Sequence, residues 1–155
     1  MPLPADLAWM AEAVAEARLA LATGDVPVGA LVVGPMGEIV GRGHNAREAS
    51  ADPTAHAERL ALREAGARIG RWRLDGCTLV CTLEPCTMCA GALVLARVQR
   101  LVFGAWDPQA GAAGSVRDVV RDRRLNHRVE VVGGVAAEEC SALLRDFFAA
   151  RRPET

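Results

Sequence analysis

Two short motifs, far apart in the chain, constrain it more than any other feature. One is Pro53-Thr54-Ala55-His56-Ala57-Glu58; the other is Thr82-Leu83-Glu84-Pro85-Cys86-Thr87-Met88-Cys89. A Cys-x-x-Cys pair at the opening of a helix presents both sulfurs on one face, with Cβ atoms about 5–6 Å apart. Pro85 favours a helix opening there, through its fixed φ and missing N–H. That spacing suits two thiolates on one tetrahedral Zn2+ with Zn–S bonds of about 2.3 Å. The positive end of a helix also favours thiolate over thiol. His56 supplies a third ligand and leaves a fourth position for water, the arrangement of catalytic rather than structural zinc. The fold has to bring both segments to one point.

Glu58, two residues after His56, stands beside such a metal and not on it. A carboxylate there takes a proton from bound water and passes it to a substrate. Zinc is needed because it lowers the pKa of that water from about 15.7 to about 7. Each motif alone has other readings. His-x-Glu by itself is more often chance than chemistry. Cys-x-x-Cys can be a thioredoxin-like redox pair or half of a structural zinc site. A structural site wants a second cysteine pair, and Cys77 and Cys81 are the nearest candidates. Their even spacing on an apolar strand puts both on one face with no turn between them. Catalytic zinc therefore ranks first, structural zinc second and a redox pair third.

The remaining composition narrows the class. The 155 residues are enough for one domain with a proper core, read as residues 1–155. Half of the chain is hydrophobic, yet no run approaches the roughly 18 apolar residues of a membrane helix. Asp6, Glu12 and Glu16 make the first residues unlike a signal peptide, and a cytoplasmic protein is expected. Cys77, Cys81 and Cys140 fall in apolar patterns and read as small buried hydrophobes. The net charge of −1 exerts no global pull on nucleic acid. All 18 basic residues are arginine. They cluster at Arg68, Arg71 and Arg73, at Arg117, Arg121, Arg123, Arg124 and Arg128, and at Arg151 and Arg152. A local patch of this kind can bind phosphate even when the total charge is near zero, although any single arginine reads better as part of a solvated face.

Hydrophobic periodicity alternates between helix and strand. Leu7, Met10, Val14, Ala17 and Leu21 predict a first helix ending before Gly24. Val28 to Val33 and Glu38 to Gly41 predict a hairpin around Gly34-Pro35-Met36-Gly37. A helix is expected from Thr54 to Ala65, closed by Gly66, then a strand from Cys77 to Thr82 and a second metal helix from Cys86 to Arg97. Arg100 to Gly104 reads as a strand, Ser115 to Val120 as a short helix and Val129 to Val132 as a last strand. Glu138 to Arg152 closes the chain as a helix with Cys140, Leu143, Leu144 and Phe147 along one face. The expected fold is α/β: a single three-layer α/β/α domain whose mixed five-stranded sheet is flanked by helices. Both metal-bearing segments then lie beside strand ends, where α/β folds place their sites.

Other side chains could complete a pocket. Asn45 both donates and accepts hydrogen bonds, which suits the edge of a base, and it forms turns equally well. His127 reads as a structural hydrogen-bonding residue. Glu84 could support the metal ligands or simply precede the proline. Asp107 could face the pocket mouth or hold a turn.

His-x-Glu followed by Pro-Cys-x-x-Cys is the signature of zinc-dependent nucleobase deaminases. Further stretches sharpen the likeness: Val26-Pro27-Val28-Gly29-Ala30, Ala90-Gly91-Ala92 after the cysteines, Gly111-Ala112-Ala113-Gly114-Ser115, and Asp146-Phe147-Phe148 before Arg151-Arg152. With these, the chain from its first helix to Arg152 resembles the bacterial tRNA-specific adenosine deaminases, which convert wobble adenosine to inosine within the cytidine and deoxycytidylate deaminase superfamily. The Gly-Ala-Ala-Gly-Ser segment and the Phe-Phe-x-x-Arg-Arg ending carry the narrower part of that resemblance.

The resemblance implies one Zn2+ per chain on His56, Cys86 and Cys89, with Glu58 as the proton shuttle. It implies a cytidine-deaminase-like fold and a homodimer whose tRNA anticodon-loop site uses both subunits. Asn45 matches a position that contacts the base and Asp107 one near the ribose. Phe147, Phe148, Arg151 and Arg152 match the helix that shapes the anticodon-loop site. A flipped, single-stranded base is the expected substrate. Gln109 departs from the pattern, since many members carry lysine there. The alternatives are a free-base deaminase for guanine or cytosine with the same zinc site, and an inactive tRNA-binding partner subunit. Glu58 argues against the second, because an inactive relative has no use for a proton shuttle.

Overall fold

The computed structural model describes residues 1–151. Its five strands are β1 (Gly29–Val33), β2 (Ile39–His44), β3 (Thr78–Leu83), β4 (Arg100–Ala105) and β5 (Glu130–Val132), in one sheet ordered β2-β1-β3-β4-β5. β1 is antiparallel to both β2 and β3, whereas β3, β4 and β5 are parallel. Every residue of β1 is buried, which is why Gly29-Ala30-Leu31-Val32-Val33 reads as a continuous apolar run and not as an alternation. Period two still sorts its side chains. Ala30 and Val32 join Leu79, Cys81, Leu101 and Phe103 beneath α3 (Ala57–Ile69) and α4 (Thr87–Leu95). Leu31, Val33, Val80 and Val102 meet α1 (Pro4–Arg18) and α5 (Ala137–Ala149) on the other face. The expected three layers are present, and Cys77, Cys81 and Cys140 are buried within them.

Small residues set α3 onto the sheet. It presents Ala57, Ala61 and Ala65 inward at intervals of one turn, directly over Gly41 and Gly43 of β2. A Cβ on Gly43 would overlap the backbone of Ala57 and Ala61, and one on Gly41 that of Ala61 and Ala65. The first turn of α3, which carries Glu58, is held against the sheet by this contact.

Several element boundaries differ from the sequence expectation. α3 starts at Ala57 because Thr54–His56 is held in a turn by Asp52, whose carboxylate accepts from Thr54 N at 2.8 Å and Thr54 Oγ1 at 2.7 Å. It ends at Gly70, whose φ of 86° gives the left-handed cap, and not at Gly66, which the helix runs through. Pro85 does not open α4: Cys86 is its extended N-cap and Thr87 its first helical residue. No helix forms over Ser115 to Val120. That segment is a run of turns with one bridge between Ala113 and Asp118, because Val116 N and Arg117 N bond Gly111 O and Val119 N bonds Ala112 O, in place of an i to i−4 ladder. Leu7 and Leu21 do not join the buried stripe. They are 60% and 42% exposed, since the buried side of α1 is Asp6, Met10, Ala13, Val14 and Ala17 and the chain then tightens into a 3-10 turn over Leu19–Thr23. A four-residue helix, α2 (Arg47–Ser50), is too short to leave a periodic trace. On α5, Cys140, Leu143 and Phe147 are buried as expected, and Arg152 lies outside the described residues. Among the described residues no helix is long and apolar enough to cross a membrane.

Candidate active site

His56 caps the start of α3, Cys86 caps the start of α4 and Cys89 sits in the first turn of α4. Side chains at the N-cap and three residues beyond it meet over the first turn, so the sulfurs converge although Pro85 lies outside the helix. His56 Nδ1 is 3.5 Å from Cys86 Sγ and 3.5 Å from Cys89 Sγ. All three ligand atoms lie within 4.8 Å of one another. Tetrahedral zinc, with bonds of about 2.3 Å to sulfur and about 2.0–2.1 Å to nitrogen, holds such atoms about 3.5 Å apart. The donor set fits the ion in both chemistry and spacing.

Both helix N-termini face this cluster and favour negative charge there. Hydrogen bonding to Cys89, reinforced by His56, outweighs burial and draws the Cys86 thiol down to about 3. The bond to Cys86 pushes Cys89 upward, and burial adds to it. His56 is raised, first by its bond to Cys86. The Cys86 sulfur thus lies among groups that favour its thiolate, and metal binding releases the protons that remain on the ligands.

A pocket of about 180 Å³ opens beside the cluster, lined by Val26, Val28, Asn45, Glu58, Leu83 and Asp107 among others. That is well below the 300–1,000 Å³ or so of drug-sized sites, and suits a single ring system. Glu58 is 4% exposed, and burial, the largest influence on it, raises its pKa. Glu84, at the same pocket, is lowered: burial alone would raise it, but the Ser115 hydroxyl and the amides of Asp107, Ser115 and Ala113 more than offset that. The two environments thus drive these carboxylates apart, Glu58 upward and Glu84 downward. Asn45 donates to Val26 O at 3.2 Å and accepts from Arg47 N at 3.2 Å, which leaves one N–H and one lone pair for a ligand. It therefore both shapes the turn and faces the pocket. Asp107 likewise does both, accepting from Gln109 N and Ala110 N through Oδ1 at 3.0 and 3.1 Å while lining the pocket.

The cytidine and deoxycytidylate deaminase zinc-binding region matches residues 4–105. The chain is a member of that deaminase family. It is 50% identical over 143 residues to the tRNA-specific adenosine deaminase of Bacillus subtilis strain 168, covering 92% of this chain and 88% of the relative. A solved structure from work on A-to-I editing by tRNA:A34 deaminases at the wobble position of transfer RNA superposes with a TM-score of 0.84 at 39% identity, covering 88% of this chain and 99% of that one. A guanine deaminase from Nitrosomonas europaea superposes with a TM-score of 0.79 at 29% identity, covering 96% and 86%.

The deaminase's remaining sequence candidates separate into two groups. His127 Nε2 bonds Val98 O at 2.7 Å, the structural role expected of it. Arg71 and Arg73 pair with Asp75, Arg121 with Asp118 and Arg124 with Asp122, so much of the first two arginine clusters is neutralised on solvated faces. Arg117 instead reaches Thr87 Oγ1, next to Cys86, at 3.4 Å. Arg151 lies 3.6 Å over the Phe147 ring and close to Gly24, beside the segment that leads to Val26. Phe148 is 51% exposed.

Two residues, one lining the pocket of this deaminase and one behind it, are missing from the sequence reading. Arg47 lines it. Asp25, almost wholly buried, accepts from Glu48 N at 2.6 Å and Ala49 N at 3.2 Å, which fixes α2 and with it the turn that carries Asn45. Asp25 has no local signature, because it acts through chain that is remote in sequence.

Proposed function

We propose that this chain catalyses the hydrolytic deamination of adenosine to inosine at the wobble position of a tRNA anticodon loop, releasing ammonia. The observation that carries the reading is the meeting of His56, Cys86 and Cys89, at 3.5 Å separations, with buried Glu58 at a pocket sized for one base. The relatives' names and their extent of identity support the choice of adenosine in tRNA over a free base.

His56, Cys86 and Cys89 would hold the zinc ion. When bound, zinc acidifies a water enough to make it a nucleophile at neutral pH. As a water oxygen bonds C6, Glu58 takes one of its protons to N1 of the adenine; Glu58 then moves the remaining hydroxyl proton to the amino group, so that the C6–N bond breaks, ammonia leaves and C6 keeps the oxygen as a carbonyl. Val26, Val28 and Leu83 flank the ring and exclude bulk water. The free N–H and lone pair of Asn45 meet the base edge, and Asp107 lies toward the ribose. Phe147, Phe148, Arg151 and Arg152 receive the neighbouring loop nucleotides. A base paired in a duplex cannot enter, so the substrate base is flipped out or single-stranded.

The 155 residues act as one deaminase domain, in the cytoplasm and as a homodimer with residues of both copies at the RNA. Exposed Trp72 and Leu95, at 63% and 69%, support self-association, which light scattering on the purified protein checks. A second reading, a free-base deaminase, is favoured by the likeness to the guanine deaminase. Incubation with an anticodon stem-loop bearing wobble adenosine, alongside guanine, cytosine and free adenosine, decides between them. Inosine from the stem-loop alone supports the tRNA reading, and ammonia from a free base overturns it in favour of the second.

A further inference from the structure

The pocket wall formed by residues 107–115 has no strand or helix to hold it. A bridge from Ala113 to Asp118 and a bond from Ala112 N to Pro85 O tie it to neighbouring chain, and four further donors converge on one buried side chain. Glu84, 2% exposed, follows the end of β3 and turns its carboxylate into the loop. Oε1 accepts from Asp107 N at 3.0 Å and from the Ser115 hydroxyl. Oε2 accepts from Ala113 N at 3.0 Å and Ser115 N at 3.0 Å. Gly111 completes the fit, because a Cβ there would overlap the carboxylate. The loop carries Asp107 and Ala110 into the pocket, and Glu84 lies two residues before Cys86 without belonging to the group of metal-binding side chains.

We propose that Glu84 is the positioning residue of the substrate site: by gathering the amides of Asp107, Ala113 and Ser115 it fixes the loop that forms one wall, and so governs how tightly the substrate base is held. This rests on the deaminase reading above. All four donors face an acceptor-only group, so the requirement is for a carboxylate and not merely for its shape. An amide in the same place turns an N–H2 toward two of those donors. The Glu84→Gln substitution, usually conservative, therefore disrupts the loop. Metal ligands and Glu58 stay where they are, so the loss falls on binding common to ground and transition states. Such a loss raises KM and leaves kcat in place.

The test compares wild type with Glu84→Gln and Ser115→Ala, measuring zinc content, amide hydrogen exchange, and kcat and KM on the wobble-adenosine stem-loop. Expected for Glu84→Gln are unchanged zinc, lost protection at the amides of Asp107, Ala113 and Ser115, and a KM raised roughly ten- to hundredfold at near-constant kcat, the scale of lost charge-assisted hydrogen bonds. Ser115→Ala, which removes one donor and spares the fold, gives a smaller rise in KM of the same kind and stands in if Glu84→Gln does not fold. A fall in kcat at constant KM, a loss of zinc, or unchanged exchange in the variant that folds overturns the proposal. If wild type itself does not turn over the stem-loop, the tRNA reading fails, and exchange at the three amides still decides whether Glu84 holds the loop.

Discussion

Asp6 and Arg100 form a doubly hydrogen-bonded ion pair, Oδ1 to Nη1 at 2.6 Å and Oδ2 to Nη2 at 2.7 Å, with Asp6 entirely buried. The pair ties the first turn of α1 to the start of β4, and Asp6 also accepts from Leu3 N at 2.7 Å. Burial alone would raise the Asp6 pKa, but the Arg100 guanidinium and the Leu3 amide prevail and hold it below its ordinary 3.8. A carboxylate depressed on folding contributes stability above its unfolded pKa and loses it as pH falls through the folded value. Asp6→Asn should therefore cost about 3–5 kcal/mol at neutral pH, the scale of a broken buried pair. The gap to wild type should stay constant down to the ordinary Asp pKa and close in more acid solution. Urea melts across pH check it; a gap independent of pH would rule out the ionised pair as its cause.

Glu58→Ala should lower kcat by about 10²–10⁴-fold, the range of a general acid–base group. Zinc should remain near one per chain, since Glu58 is not among the three grouped ligand atoms. Metal analysis and single-turnover rates on the same preparation separate the two effects. Activity retained at full zinc occupancy would remove Glu58 from the mechanism.

The site was more legible in the sequence than the chain around it. His56, Glu58, Cys86 and Cys89 declared themselves because metal chemistry restricts both residue type and spacing, and a misplaced helix start at Pro85 did not disturb the outcome. The sheet and its two helical layers were legible for a similar reason: burial on both faces makes β1 and the middle of β3 read as continuous apolar runs. What stayed hidden depends on side chains that reach across the fold. Asp25 and Glu84 look like ordinary acidic residues, yet each satisfies backbone amides of a segment remote in sequence. The Ser115–Val120 helix failed to form because Val116, Arg117 and Val119 turn their amides back to Gly111 O and Ala112 O, outside the segment. Leu7 failed as a core residue because periodicity cannot say which of two adjacent stripes faces the sheet, and the charged side chain at Asp6 is the one buried.

Removing the metal should unmask Cys86. Its thiol is drawn down to about 3, and thiolate fraction with access sets alkylation rate. In metal-free protein, iodoacetamide at pH 6 should modify Cys86 ahead of Cys77, Cys81 and Cys140, which are buried and raised. Reloading with zinc should block the reaction and restore turnover. Peptide mapping reads the result, and equal labelling with and without zinc would argue against Cys86 as a ligand.

Gly43 should not tolerate a side chain. Its added Cβ would overlap the backbone of α3 at Ala57 and Ala61, and overpacking of this kind costs about 1–3 kcal/mol. Because the contact supports the first turn of α3, Gly43→Ala should weaken zinc binding along with thermal stability. A fall in melting temperature with unaltered metal affinity would show that the site is held independently of β2.

Arg151 is the cation that the proposed function sets at the RNA. It stacks 3.6 Å over Phe147, bonds Phe147 O at 3.4 Å and reaches toward Gly24, while the neighbouring Phe148 ring is half exposed. No carboxylate pairs with it among the described residues, so its charge is available to phosphate. A cation that neutralises one phosphate of a single strand adds about 0.7 to the slope of log affinity against log salt. Arg151→Ala should flatten that slope by this amount and weaken the stem-loop to the same degree whether adenosine or another base stands at the wobble position, because phosphate contacts carry no sequence information. Adding Arg152→Ala should flatten it again. Titrations at several salt concentrations give the slopes. A slope unchanged in Arg151→Ala would take the end of α5 out of the interface and leave Arg117, beside the metal helix, as the nearer candidate.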